Sequence, residues 1–169
     1  MPEEMTRDEI DELLASQAVG RLGLVEGDVP YVVPISYAYR DGCIYGHSAQ
    51  GRKLRALRSQ PEVCFEVDEV ETVDRWRSAI AWGRFEQLVG EEAKRGLDIL
   101  IERFRPLLPP ATTETHPDAE VGLTRTLDIP RLPGAEADLG RTSSAAVVFR
   151  IRLHTLSGRS EGAQEEVLP

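Results

Sequence analysis

From Val19 onward the chain alternates apolar and polar residues with a period of two, over short runs separated by tight turns. Short alternating runs with short turns are the signature of an antiparallel sheet, because hairpins need two to five loop residues and parallel crossovers need a dozen or more. Val19 to Val25 forms the first run, broken by Glu26-Gly27-Asp28. Pro30 to Arg40 follows, with Tyr31, Val33, Ile35, Tyr37 and Tyr39 on one face and Val32, Ser36 and Ala38 on the other. Arg40-Asp41-Gly42 turns the chain, since Asp-Gly tolerates the positive φ that hairpins require. Cys43 to Ser48 returns, and further strands are predicted around Val63–Val67, over 77–89 and over Ala146–Leu156.

Three helices interrupt this pattern. Thr6 and Glu9 make a capping box ahead of the stripe Ile10, Leu13, Leu14, which runs out near Gln17. A short helix from Arg52 to about Ser59 carries Leu54 and Leu57 and stops at Pro61. A third, Glu91 to Phe104, has the stripe Ala93, Leu97, Leu100, Ile101 and Phe104. Residues 105–145 hold six of the 11 prolines and little periodicity, which reads as an excursion over the surface of one 169-residue domain. The stretch 157–169 is a polar tail expected to fray. Six strands and three helices predict a mainly β, α+β architecture, a six-stranded antiparallel barrel with helices packed outside.

Charge narrows the function. With 29 Asp+Glu against 20 Lys+Arg the net charge is -9, which argues against nucleic acid or an anionic membrane as partner. No apolar run approaches the length of a membrane span, and the acidic start Met1-Pro2-Glu3-Glu4 is unlike a signal peptide. Cys43 and Cys64 cannot build a disulfide framework and have no metal-ligand spacing, so a reducing cytoplasm is the expected compartment.

Residues 51–60 nevertheless hold four cations and no acid, so the rest of the chain carries -9 minus 4, or -13. Arg52 and Lys53 fall on the first turn of a helix, where the helix dipole disfavours cations. A bound anion would reverse that cost. Ser48, Gly51 and the free amides of the helix start would complete a phosphate cradle. A solvated basic helix that balances nearby carboxylates remains the alternative. Pro34 is a second signal, because a proline inside a strand marks an edge or an interruption and leaves the backbone of Val33, Ile35 and Ser36 available to bond elsewhere. An ordinary edge strand explains it equally well. His47 gains interest only by standing beside the proposed cradle.

Taken together, Gly20-Arg21-Leu22, Pro30-Tyr31-Val32-Val33-Pro34-Ile35-Ser36-Tyr37, Ile44-Tyr45-Gly46-His47-Ser48-Ala49-Gln50-Gly51-Arg52-Lys53, Pro61 to Val67 and Arg77 to Gly83 resemble the pyridoxamine 5′-phosphate oxidase-like proteins with the FMN-binding split barrel. The similarity is greatest to the branch that includes the nitroimidazole-resistance proteins. It extends to Arg141-Thr142-Ser143, the strand ending at Leu156 and Ser157-Gly158-Arg159. The resemblance implies a homodimer with FMN at the subunit interface and redox chemistry on a small molecule, with nitro reduction as one reaction. It implies that Arg52 and Lys53 hold the phosphate beside Ser48 and Ala49. Val33, Pro34, Ile35 and Ser36 would face the ring through their backbone, and Ser78 would complete the phosphate or ribityl contacts. His47 would stand at the reactive face as the catalytic residue. The substrate-binding C-terminal segment of true pyridoxamine phosphate oxidases has no counterpart here. Haem or a deazaflavin are the alternative cofactors, and a non-catalytic storage or sensing module is the alternative function.

Overall fold

The computed structural model describes residues 1–107 and 146–162. The proline-rich excursion therefore lies, from residue 108 to 145, outside the described residues, as does the tail from 163. In chain order the elements are β1 (Glu3–Glu4), α1 (Arg7–Ser16), β2 (Val19–Glu26), β3 (Val29–Ser36), β4 (Ala38–Arg40), β5 (Cys43–Ser48), α2 (Arg52–Ser59), β6 (Glu62–Thr72), β7 (Arg75–Gln87), α3 (Gly90–Phe104), a 3₁₀ turn (Arg105–Leu107) and β8 (Val147–Glu161).

Every strand pair is antiparallel and the sheet runs β3-β2-β6-β7-β8-β5-β4. Its two ends, β3 and β4, are halves of the segment expected as one strand from Pro30 to Arg40. The sheet thus curls back on itself through Tyr37 into a barrel with six positions. Among the described residues the strands number eight rather than six, because this segment divides and because β1 adds two residues beside β8.

Tyr37 makes the division. Its amide donates to Ala18 O (3.1 Å), its hydroxyl donates to Leu14 O (2.6 Å), and its ring meets Phe65 edge-on at 4.8 Å. A buried phenol with its donor satisfied is a strong local anchor, and here it pulls the strand off β5 and onto β2.

Inside the barrel, Leu22, Ile35, Ile44, Val63, Phe65, Val67, Phe149 and Ile151 pack with Ile10, Leu13 and Leu14 of α1 and Leu54 and Leu57 of α2. The Thr6–Glu9 capping box forms as expected, with Thr6 N donating to Glu9 Oε2 at 2.6 Å. A second, smaller cluster seats α3 through Leu100 and Phe104 against Ala38, Tyr45 and Val148. In α3 the fully buried positions are Gly96, Leu100 and Phe104, while the expected Ala93, Leu97 and Ile101 are half-buried. Gly96 matters because a Cβ there would lie 2.9 Å from Leu88 and 3.0 Å from Val148.

The fraying expected after Ser157 does not occur within the described residues. β8 continues to Glu161, paired with β7 from Ile80 to Trp76 and with Glu3 and Glu4 on its other side. Backbone pairing on both edges holds a polar sequence that hydrophobic periodicity cannot detect. Among the described residues no helix is long and apolar enough to cross a membrane.

Candidate functional site

The register of the strands defines an opening. β4 pairs with β5 as Ala38↔Tyr45, Tyr39↔Ile44 and Arg40↔Cys43, so continuing the same register would place Ser36 against His47 and Ile35 against Ser48. Those bridges do not form. Beyond Tyr37 the chain pairs with β2 instead (Ser36↔Val19, Ile35↔Gly20, Pro34↔Arg21), while among the described residues His47 and Ser48 pair only with β8 (Val148 and Val147). The barrel splits at this point. The backbone groups of Val33–Ser36 that point away from β2 and those of His47–Ser48 that point away from β8 therefore line two edges that have no strand partner among the described residues, and unpaired edge groups seek partners. Pro34 sits on such an edge, where its missing N–H costs nothing.

Helix α2 begins just after this opening. Gly51 at its N-cap has an extended φ of 173° and supplies no side-chain hydrogen bond, and the first turn has no acid. Its leading amides are therefore open to an anion. Lys53 is half-buried, and burial alone pushes its ammonium below the usual lysine value. No charged neighbour among the described residues offsets that cost. His47 is also half-buried, and burial first, then the Lys53 cation, lowers its imidazole below 6.5. The pair thus consists of a desolvated cation and a histidine that is neutral at pH 7.

Other expected residues have different surroundings. Ser48 Oγ donates to Ala49 O (3.0 Å), and Ala49 is exposed. Arg52 is bonded through Nε to Glu26 Oε2, and its guanidinium lies over the Tyr31 ring at 5.0 Å from the centroid. Glu26 and Tyr31 are partners that the sequence reading missed. Tyr31 shares the Val33–Ile35 face, but no periodicity links it to a helix more than twenty residues on. Ser78 is not brought to the opening within one copy. It pairs with Asp68 and Arg159, nine residues up β7 from Gln87, whose side chain accepts from Arg58 of α2 at 2.8 and 3.0 Å. Nine strand residues span about 30 Å.

The outer sheet face is the other notable feature. Strand register aligns Val32, Gly23, Cys64, Trp82 and Thr155 in one row across five strands. Val32 is 66% exposed, Trp82 39% and Ile80 38%. With Leu24, Val25, Pro30 and Tyr31 this row lines a groove of about 440 Å³.

The family model described as pyridoxamine 5′-phosphate oxidase matches residues 6–130. An uncharacterized protein of Rhizobium meliloti (strain 1021) is 33% identical over 84 residues, which are 50% of this chain and 56% of that protein. The chain therefore spans little more than half the length of that relative. A FAD-binding protein from Mesorhizobium loti has a similar structure, with a TM-score of 0.64, 25% identity and coverage of 95% of this chain and 98% of that one. A candidate 5-nitroimidazole antibiotic resistance protein from Bacteroides thetaiotaomicron gives 0.66 at 17% identity, over 95% and 87%. An FAD- and haem-binding protein from Mycobacterium smegmatis gives 0.63 at 21%, over 95% and 73%. The last two likenesses speak to the fold alone. Split barrel, helix placement and family match agree: the chain belongs to the pyridoxamine 5′-phosphate oxidase-like family.

Proposed function

We propose that this chain is a flavin-binding oxidoreductase that takes FMN, works as a homodimer in the cytoplasm and acts on a small molecule such as a nitro compound. The observation that carries the reading is Lys53: a desolvated cation without a counter-ion among the described residues, at the uncapped start of α2, beside a neutral histidine. Leaving a buried charge unpaired is costly, and an arriving phosphate would remove the cost. The residues present fit a flavin phosphate at Lys53 and the α2 amides, with the unpaired edges at Val33–Ser36 and His47–Ser48 offering backbone donors and acceptors to a planar ring. The FAD-binding relative on the same fold supports a flavin as the cofactor, and the choice of FMN rests on the phosphate site at Lys53.

A bound flavin would supply the electron transfer. The chain itself binds, orients and handles protons. Lys53 would neutralise the phosphate, and the free backbone groups of β3 would hold the ring. An imidazole nitrogen of His47, unprotonated at neutral pH, accepts a proton from solvent and passes it to the substrate as that is reduced; its lowered pKa makes the protonated form a better acid. The apolar row around Trp82 supports a second copy as partner. The charges around it nearly balance, since Arg21 and Arg84 against Glu62, Glu66 and Asp68 sum to 2 minus 3, or -1, so two copies of a chain carrying -9 meet there with little repulsion.

The test is anaerobic turnover. FMN-loaded protein given NADH or NADPH and a nitroaromatic should consume the reduced nicotinamide only when flavin, donor and acceptor are all present. Saturable flavin binding without turnover would move the reading to a carrier or sensor, and a Soret band on haem addition without flavin binding would move it to haem.

A further inference from the structure

Arg52 and Lys53 are neighbours at the start of α2, yet their situations differ. Lys53 has no counter-ion among the described residues, whereas Arg52 is held by Glu26 Oε2 and by the face of Tyr31. The hold is deliberate in its geometry. Glu26 ends β2 opposite Val29, and Tyr31 lies opposite Leu24 on the returning strand, so both sides of the β2–β3 hairpin end contribute. The same turn is tied to the far end of α2 by Gln60 Nε2, which donates to Gly27 O at 2.8 Å. Only Nε of the guanidinium is engaged by the carboxylate, and a guanidinium has five donors.

With Glu26 in place, the start of α2 therefore offers one uncompensated cation rather than two. One positive charge with open helix amides matches a phosphate that carries a single charge, as each phosphate of the FAD pyrophosphate does. A terminal phosphate monoester, as in FMN, carries nearly two charges at neutral pH. It gains fully only if Arg52 exchanges Glu26 for the ligand.

We infer that Glu26 is a specificity-determining residue of the flavin site: as an internal counter-ion for Arg52, it narrows the preference of the site for the FMN monoester over the FAD diester. The inference rests on the flavin reading and can fail separately from it. Glu26 is one-third exposed and Arg52 more so, so the expected effects are modest.

The experiment is fluorescence titration of FMN, FAD and riboflavin against wild type, E26Q, R52A and the double variant, with melting temperatures recorded to confirm folding. E26Q should tighten FMN about fivefold and FAD about twofold, following the charge each presents, and leave riboflavin unchanged. In the R52A background the gain for FMN on E26Q should shrink to what loss of the carboxylate's own repulsion supplies, because Arg52 is no longer there to be released. Equal changes for FMN and FAD, weaker FMN binding in E26Q, or a full gain that persists without Arg52 would each overturn the inference. Failure of wild type to bind any of the three flavins would instead overturn the flavin reading.

Discussion

Replacing Lys53 by methionine separates binding from folding. Methionine keeps an unbranched stem of similar length, so the packing beside Leu54 and Leu57 is largely retained. In the free protein the ammonium is desolvated, with no charged partner among the described residues, so its removal relieves a cost. The variant should melt no lower than wild type. Toward FMN the effect has the opposite sign. A charge-assisted contact to phosphate contributes roughly 1.5–3 kcal/mol, which corresponds to about 10- to 150-fold in Kd. Riboflavin has no phosphate and should change by less than about twofold. The assay is quenching of flavin fluorescence for both ligands, paired with thermal melts. Equal losses for FMN and riboflavin would mean that Lys53 only supports the ring or the fold. Unchanged FMN affinity would refute the phosphate assignment outright.

Four further outcomes follow from particular residues. His47 has a folded pKa below 6.5, so the unfolded chain takes up the proton first; stability should therefore be complete above about pH 6.5 and decline as pH falls toward the folded pKa. Urea melts between pH 7.5 and 5.5 should show this slope and His47→Gln should flatten it, while an unchanged slope would place the titration elsewhere. At alkaline pH, FMN affinity should fall below the usual lysine value of 10.5 as Lys53 loses its proton, with riboflavin affinity flat over the same range. Gly83→Ala would push a Cβ to 2.5 Å from the backbone oxygen of Arg152, and should cost about 1–3 kcal/mol in chemical denaturation because a strand carbonyl cannot move aside cheaply. Trp82→Glu puts a charge at the centre of the apolar row; light scattering should give twice 18.8 kDa for wild type and a single copy for the variant, and a monomeric wild type would remove the proposed interface.

Much of the fold is written in local chemistry. Thr6 and Glu9 announce α1, Asp41 and Gly42 take the positive φ values (50° and 72°) that the β4–β5 turn requires, and Ala79, Ala81 and Phe85 turn inward at alternate positions of β7. Non-local features were less legible. The segment from Pro30 to Arg40 keeps an unbroken period of two, so nothing in it marks Tyr37 as the place where the strand changes neighbours; that depends on Ala18, Leu14 and Phe65. The same limit applies to the site. The cationic cluster pointed to α2, and the structure adds that Lys53 and His47 are the desolvated pair. That Arg52 is matched by Glu26 required the β2–β3 hairpin to be folded back beside the helix.

The central proposal is that the opening between β3 and β5, with His47 near the end of β5 and Lys53 at the start of α2, holds a flavin by its phosphate. Titrating FMN into the purified protein while recording the visible spectrum tests it most directly. The account predicts saturable binding of one FMN per chain, with a shifted flavin band and an affinity at least tenfold above that for riboflavin. Free-flavin spectra throughout, or riboflavin bound as tightly as FMN, would contradict it.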